Sequence, residues 1–130
     1  MTVLKKVLVV DDDPDILTQV EMILKANGYD VATAESAAGA EEFLTSAQPD
    51  LVIVDLMMEE ADSGLVLCYQ IKRLYPNMPI IMLTAVRSST GLSFDAKDSE
   101  AKSWIKADCV LDKPVRTEEL LNTVKKLLQA

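Results

Sequence analysis

The sequence predicts an α/β protein in which five strands form a parallel sheet covered by helices on both faces. Short runs rich in Val, Ile and Leu alternate with segments of helical period, the pattern of repeated βα units. The runs are continuously apolar, as in strands buried on both sides, and do not alternate as half-exposed strands do. Most junctions carry a capping or stop residue. With 130 residues, 49% of them hydrophobic, 26% charged and only 4 Gly and 5 Pro, the chain has the length and composition of one folded domain spanning 1–130.

The strands are expected at Lys6 to Val10, Asp30 to Ala34, Leu51 to Val54, Ile80 to Leu83 and Cys109 to Leu111. Between the first two, Ile16, Leu17, Val20, Ile23 and Leu24 recur at helical spacing, behind Asp13 as N-cap and Pro14 at the first helical position. Asn27-Gly28 stops that helix. Ser36 caps a second helix through Leu44, and Ser63 or Gly64 opens a third that ends before Pro76. Thr117 caps the last, which carries Leu120, Leu121, Val124, Leu127 and Leu128. The fourth unit is irregular: "TAVRSSTGLSFDAKDS" from Thr84 is polar and aperiodic before a short helix around Glu100 to Ile105. Connections of that length in compact domains are usually functional or mobile.

Composition excludes several classes of function. With 13 basic against 21 acidic side chains and a net charge of −8, direct binding to nucleic acid or to an anionic membrane is disfavoured, and protein partners fit better. The start "MTVLKKVLVVDDD" is interrupted by Lys5 and Lys6 and ends in acids, so it resembles neither a signal peptide nor a membrane span, and a cytoplasmic location is expected. Cys68 and Cys109 are far apart and there is no histidine, which removes zinc sites and Ser/His or Cys/His nucleophilic catalysis. Both cysteines are expected as reduced core thiols.

In an open α/β sheet, ligands bind beyond the carboxyl ends of the strands. Asp11, Asp12 and Asp13 follow strand one, Asp55 follows "LVIV" of strand three, Thr84 follows strand four, and Lys113 follows strand five in "CVLDKP". Strand two ends only in Glu35 and the capping Ser36. Singly, each has an ordinary reading: acids at strand ends cap helices, and a Thr or a Lys there is commonly a solvated loop residue. Asp55, directly behind a run of four apolar residues, is the one that packing explains least. Together, carboxylates without histidine make a hard oxygen site suited to Mg²⁺ or Mn²⁺, and such a cation would offset the repulsion among Asp11, Asp12 and Asp55. A cation, an ammonium, a hydroxyl donor and a nucleophilic carboxylate are the groups a phosphoryl group needs.

At these residues the chain closely resembles the receiver domain of two-component response regulators. "VLVVDDDPDI", "PDLVIVDLMM", "LTA" and "DKP" match that family's motifs in order across nearly the whole chain. The resemblance implies a doubly wound, flavodoxin-like three-layer (βα)5 sandwich with strand order 2-1-3-4-5. It implies a signalling phosphoacceptor, not an enzyme acting on other molecules. Asp55 would accept a phosphoryl group from the phosphohistidine of a sensor histidine kinase or phosphotransfer protein. Asp11, Asp12, Asp55 and the backbone carbonyl of Met57 would hold Mg²⁺; Thr84 would then bond the phosphoryl oxygen and Lys113 would pair with it. A downstream protein target follows, with a phosphorylation-dependent homodimer as one form the response can take. Lys113-Pro114 is where the family usually has a cis peptide.

Several positions depart from the family pattern. Val110 stands three residues before Lys113, where many members carry Tyr or Phe, and Glu59 stands where Pro is common. Met57 and Val86, two residues beyond Asp55 and Thr84, are apolar, which predicts slow self-dephosphorylation. From Thr84 to Lys113 is 113 − 84 = 29 steps, several more than usual in the family, so the region 85–103 is expected to be extended, with Trp104 anchoring its short helix. Two rival readings remain: a phosphorylation-independent receiver-like binding module, and a phosphohydrolase of the haloacid dehalogenase type built on the Asp11 and Asp13 pair. The second needs further acids after Lys113, where 114–130 offer only Glu118 and Glu119.

Overall fold

A computed structural model of the chain describes residues 5–55, 63–84, 109–112 and 116–128. In chain order they form β1 (Lys6–Val10), α1 (Pro14–Ala26), β2 (Asp30–Ala34), α2 (Ala37–Ser46), β3 (Leu51–Asp55), α3 (Ser63–Leu74), β4 (Ile80–Thr84), β5 (Cys109–Asp112) and a C-terminal helix (Thr117–Leu128). The strands make one sheet in the order β2-β1-β3-β4-β5, and every neighbouring pair is parallel. This is the doubly wound flavodoxin-like order expected from the motifs. The region 85–103, the short helix expected near Glu100 to Ile105, Trp104 and the Lys113-Pro114 bond lie outside the described residues.

Side-chain alternation divides the core into two layers. Leu8, Val10, Val52, Val54, Ile80 and Met82 face Ala40 and Leu44 of α2 and Leu67, Cys68 and Ile71 of α3. Val7, Val9, Leu51, Ile53, Ile81 and Leu83 face Leu17, Val20 and Leu24 of α1 and Leu120 and Val124 of the C-terminal helix. The chain steps from β1 to β2, then back past β1 to β3. Right-handed crossovers running in opposite directions place α1 and α2 on opposite faces. Burial of each such Val, Leu or Ile stabilises the fold by about 1.5–3 kcal/mol. Cys68 lies in this core and Cys109 is half-buried, both as free thiols.

Local chemistry sets the helix ends. Asp13 has an extended backbone and its side chain accepts from the Asp15 N–H, with Pro14 at the first helical position. At the other end of α1, the Tyr29 N–H reaches the Leu24 carbonyl at 3.1 Å and the Gly28 N–H reaches that of Lys25 at 3.2 Å. That paired return requires a left-handed residue, and Gly28 has φ +90°. Ser36 Oγ accepts from the Gly39 N–H at 3.0 Å.

Five boundaries differ from the sequence expectation. Strands β3, β4 and β5 each run one residue further, through Asp55, Thr84 and Asp112, because ladder pairing depends on the backbone and continues past the last apolar side chain. Helix α2 continues to Ser46, where the Thr45 and Ser46 hydroxyls donate to the Glu42 and Phe43 carbonyls at 2.7 and 3.1 Å. In the C-terminal helix the Leu120 N–H donates to the Arg116 carbonyl at 2.9 Å, so Arg116 takes the N-cap position and Thr117 is already helical.

Candidate functional site at the carboxyl edge of the sheet

Strand order reverses between β1 and β3, so a crevice opens beyond their carboxyl ends. Val10 pairs in register with Val54, which brings Asp11 and Asp55 to the same level on neighbouring strands. Asp55 pairs with Leu83 across to β4, and Thr84 pairs with Asp112 across to β5. Three strand ends thus deliver a carboxylate, a carboxylate and a hydroxyl to one edge of the sheet.

These groups are buried. Asp11 is 0%, Asp55 5% and Thr84 2% exposed, whereas Asp12 is exposed. One carboxylate oxygen each from Asp11, Asp12 and Asp55 lie within 4.8 Å of one another. Buried carboxylates this close are an electrostatic cost to the fold unless a cation joins them. The donor set is all oxygen and anionic, which fits Mg²⁺ or Mn²⁺ and not a metal that prefers nitrogen or sulfur.

The first strand end is built by two consecutive turns closed by Asp side chains. The Asp11 N–H donates to the Ala34 carbonyl of β2 at 3.1 Å. Asp11 Oδ1 then accepts from the Asp13 N–H at 2.9 Å, and Asp13 Oδ1 accepts from the Asp15 N–H at 2.9 Å. Each is an Asx turn, in which a short acid binds the backbone two residues on. The sequence marks Asp13 as a helix cap and, in the phosphohydrolase reading, as the partner of Asp11; it does not reveal that the Asp13 backbone N–H holds the Asp11 carboxylate. The signal was available in the acids at alternate positions 11, 13 and 15.

The structure therefore brings together Asp11, Asp12 and Asp55, with Thr84 buried at the next strand end. Lys113, Met57, Glu59 and Val86 lie outside the described residues. Val110 is half-buried against the layer formed with α2 and α3. Among the described residues, no helix is long and apolar enough to cross a membrane.

Comparison with known proteins agrees with this geometry. The family model for the response regulator receiver domain matches residues 7–125. A response regulator receiver domain protein (CheY-like) from Methanospirillum hungatei JF-1 is 28% identical, with 98% of this chain and 95% of that chain covered and a TM-score of 0.82. The receiver domain of a signal transduction histidine kinase from Syntrophus aciditrophicus is 31% identical, with 96% and 90% covered and a TM-score of 0.80. The response regulator TrrA from Thermotoga maritima, in complex with Mg²⁺-BeF, is 35% identical, with 96% and 100% covered and a TM-score of 0.79. A family match running from within β1 into the C-terminal helix, and fold neighbours aligned over nearly the whole chain, make this chain a member of the response regulator receiver domain family.

Proposed function

We propose that residues 1–130 form a single receiver domain that takes a phosphoryl group from the phosphohistidine of a sensor kinase or phosphotransfer protein onto Asp55. One observation carries the reading: a nearly buried carboxylate at the end of β3 lies with two others inside 4.8 Å, at the crevice where the sheet order reverses. Asp11 and Asp12, with the Met57 carbonyl, are the groups assigned to a Mg²⁺ ion alongside Asp55. When bound, the ion neutralises charge on the carboxylates and on the phosphoryl oxygens. The neighbour crystallised with Mg²⁺-BeF, similar over 96% of this chain, supports that assignment.

The residues divide the work. An Asp55 oxygen attacks phosphorus in line, forming an O–P bond as the N–P bond of the donor breaks and imidazole leaves. The burial of Asp55 limits the access of water to the acyl phosphate. The Thr84 hydroxyl donates to one phosphoryl oxygen, and the Lys113 ammonium pairs with another. Phosphorylation adds about −1.5 to −2 charge, and a conformer in which Thr84 and Lys113 bind that charge is favoured by their differential contacts. The output is control of a protein partner in the cytoplasm, consistent with a net charge of −8 that disfavours direct contact with nucleic acid.

Intact mass after incubation with a small phosphodonor and Mg²⁺ tests the proposal. The expected result is one base-labile phosphoryl adduct that needs Mg²⁺ and is lost completely in Asp55→Asn. Phosphate release without an adduct, surviving the mutation, points to a phosphohydrolase; neither adduct nor release points to a binding module independent of phosphorylation.

A further inference from the structure

We infer that Asp13 is a positioning residue for the cation site: its carboxylate, by closing the first turn of α1, holds the backbone N–H that orients Asp11. The inference rests on the Mg²⁺ assignment above and concerns a residue to which that assignment gives no role. Asp11 ends β1, fully buried, with its N–H on the Ala34 carbonyl, so its backbone is anchored to the sheet. Its side chain is anchored differently, at 2.9 Å from the Asp13 N–H. The direction of that N–H depends on the backbone of Asp13, which at φ −94° and ψ 110° is extended and not helical.

Beyond the bond from the Leu17 N–H to its carbonyl, two features hold Asp13 in that conformation. Its Oδ1 accepts from the Asp15 N–H at 2.9 Å, and the following Pro14 disfavours the helical region for the residue before it. Without the side-chain acceptor, the proline restriction and the bond from the Leu17 N–H to the Asp13 carbonyl at 3.1 Å remain, and both act on the carbonyl side of Asp13, leaving its φ less constrained. The Asp13 N–H would then wander, and with it the Asp11 carboxylate. Octahedral Mg²⁺ tolerates little displacement of its ligands, so a fault at an exposed helix cap is read out at a buried site. The relay is reciprocal: cation binding at Asp11 should tighten the first turn of α1.

The alternative role for Asp13 is a charge near the cation. Asp13→Asn and Asp13→Ala remove the same charge, but Asn keeps an oxygen acceptor and is as good a cap as Asp. Their difference therefore isolates the relay. Asn27→Ala controls for general loosening of α1, because it removes the bond from Asn27 Nδ2 to the Ile23 carbonyl (2.8 Å) at the opposite end of the helix.

The experiment is calorimetric titration of the full chain with MgCl2, with amide hydrogen exchange at residues 15–17 in the same samples and circular dichroism to confirm folding. Expected are Asn27→Ala with unchanged affinity, Asp13→Asn within about threefold of wild type, and Asp13→Ala weaker than Asp13→Asn by a further fivefold or more. Mg²⁺ should slow exchange in the first turn of α1 in wild type and Asp13→Asn and not in Asp13→Ala. Equal weakening by Asn and Ala would make Asp13 a charge only, and equal weakening by Asn27→Ala would make the effect one of helix stability; either overturns the inference. Should wild type itself show no Mg²⁺ binding that Asp11→Asn abolishes, the metal assignment fails and the inference falls with it. An unfolded Asp13→Ala leaves the exchange comparison of wild type with and without Mg²⁺ as the deciding test, and no protection at 15–17 would overturn the relay.

Discussion

At the amino ends of β1 and β3, the Lys6 N–H donates to Asp50 Oδ2 at 2.8 Å and the Asp50 N–H returns to the Lys6 carbonyl at 2.7 Å. Lys6 Nζ also lies 3.7 Å from Asp30. At the carboxyl ends of the same strands, Asp11 and Asp55 are buried and converge with Asp12. The first end places its acids where a backbone N–H or a lysine meets them in water, and so supports the ladder. The second gathers acids of like sign, an all-oxygen anionic donor set of the kind a hard cation takes. One sheet end is thus closed by its own backbone and lysine contacts, and the other presents the oxygen donors to which the proposed cation and phosphoryl group would bind.

The contrast is broken most severely at Asp11. Asp11→Asn keeps an acceptor for the Asp13 N–H and removes one of the three anionic oxygen donors. Mg²⁺ at about a hundred times its Kd should stabilise wild type by about 2.7 kcal/mol, and this response should vanish in the variant. A Mg²⁺ response retained in Asp11→Asn would show that Asp11 is not a ligand.

A smaller effect is expected at the other end. Asp50→Ala removes the acceptor for the Lys6 N–H and should cost about 1 kcal/mol in denaturant unfolding, with no change in Mg²⁺ response. A variant that altered cation binding would mean that the two ends of the sheet are coupled. The smallest effect belongs to Cys109, which opens β5 at the amino end. Burial pushes its thiol up, offset in part by the Val110 backbone and the Lys126 charge. A raised pKa means less thiolate at any given pH, so alkylation should lag behind that of a free thiol at neutral pH and rise only at higher pH. Rapid alkylation at neutral pH would show a thiolate stabilised there.

Much of the molecule was legible because the determining interactions are local. Apolar runs separated by helical periods specified five strands within one residue of their bounds. Asp13, Pro14 and Gly28 specified α1, since a cap, a fixed φ and a positive φ act on their own neighbours. The strand ends at Asp55, Thr84 and Asp112 were expected one residue early because side-chain polarity says nothing about backbone pairing across to the next strand.

By itself, the sequence determined the periodicities, the caps and the placing of acids and a hydroxyl directly after apolar runs. These depend on each residue and its near neighbours. Only the tertiary structure decided that Asp11 and Asp55 stand side by side, because their proximity follows from a crossover that returns the chain past β1. It also decided that the Asp13 N–H meets the buried Asp11 carboxylate while the Asp13 side chain caps a helix: burial of Asp11 and the direction of a backbone donor arise when β1, β2 and α1 meet, and no single segment encodes them.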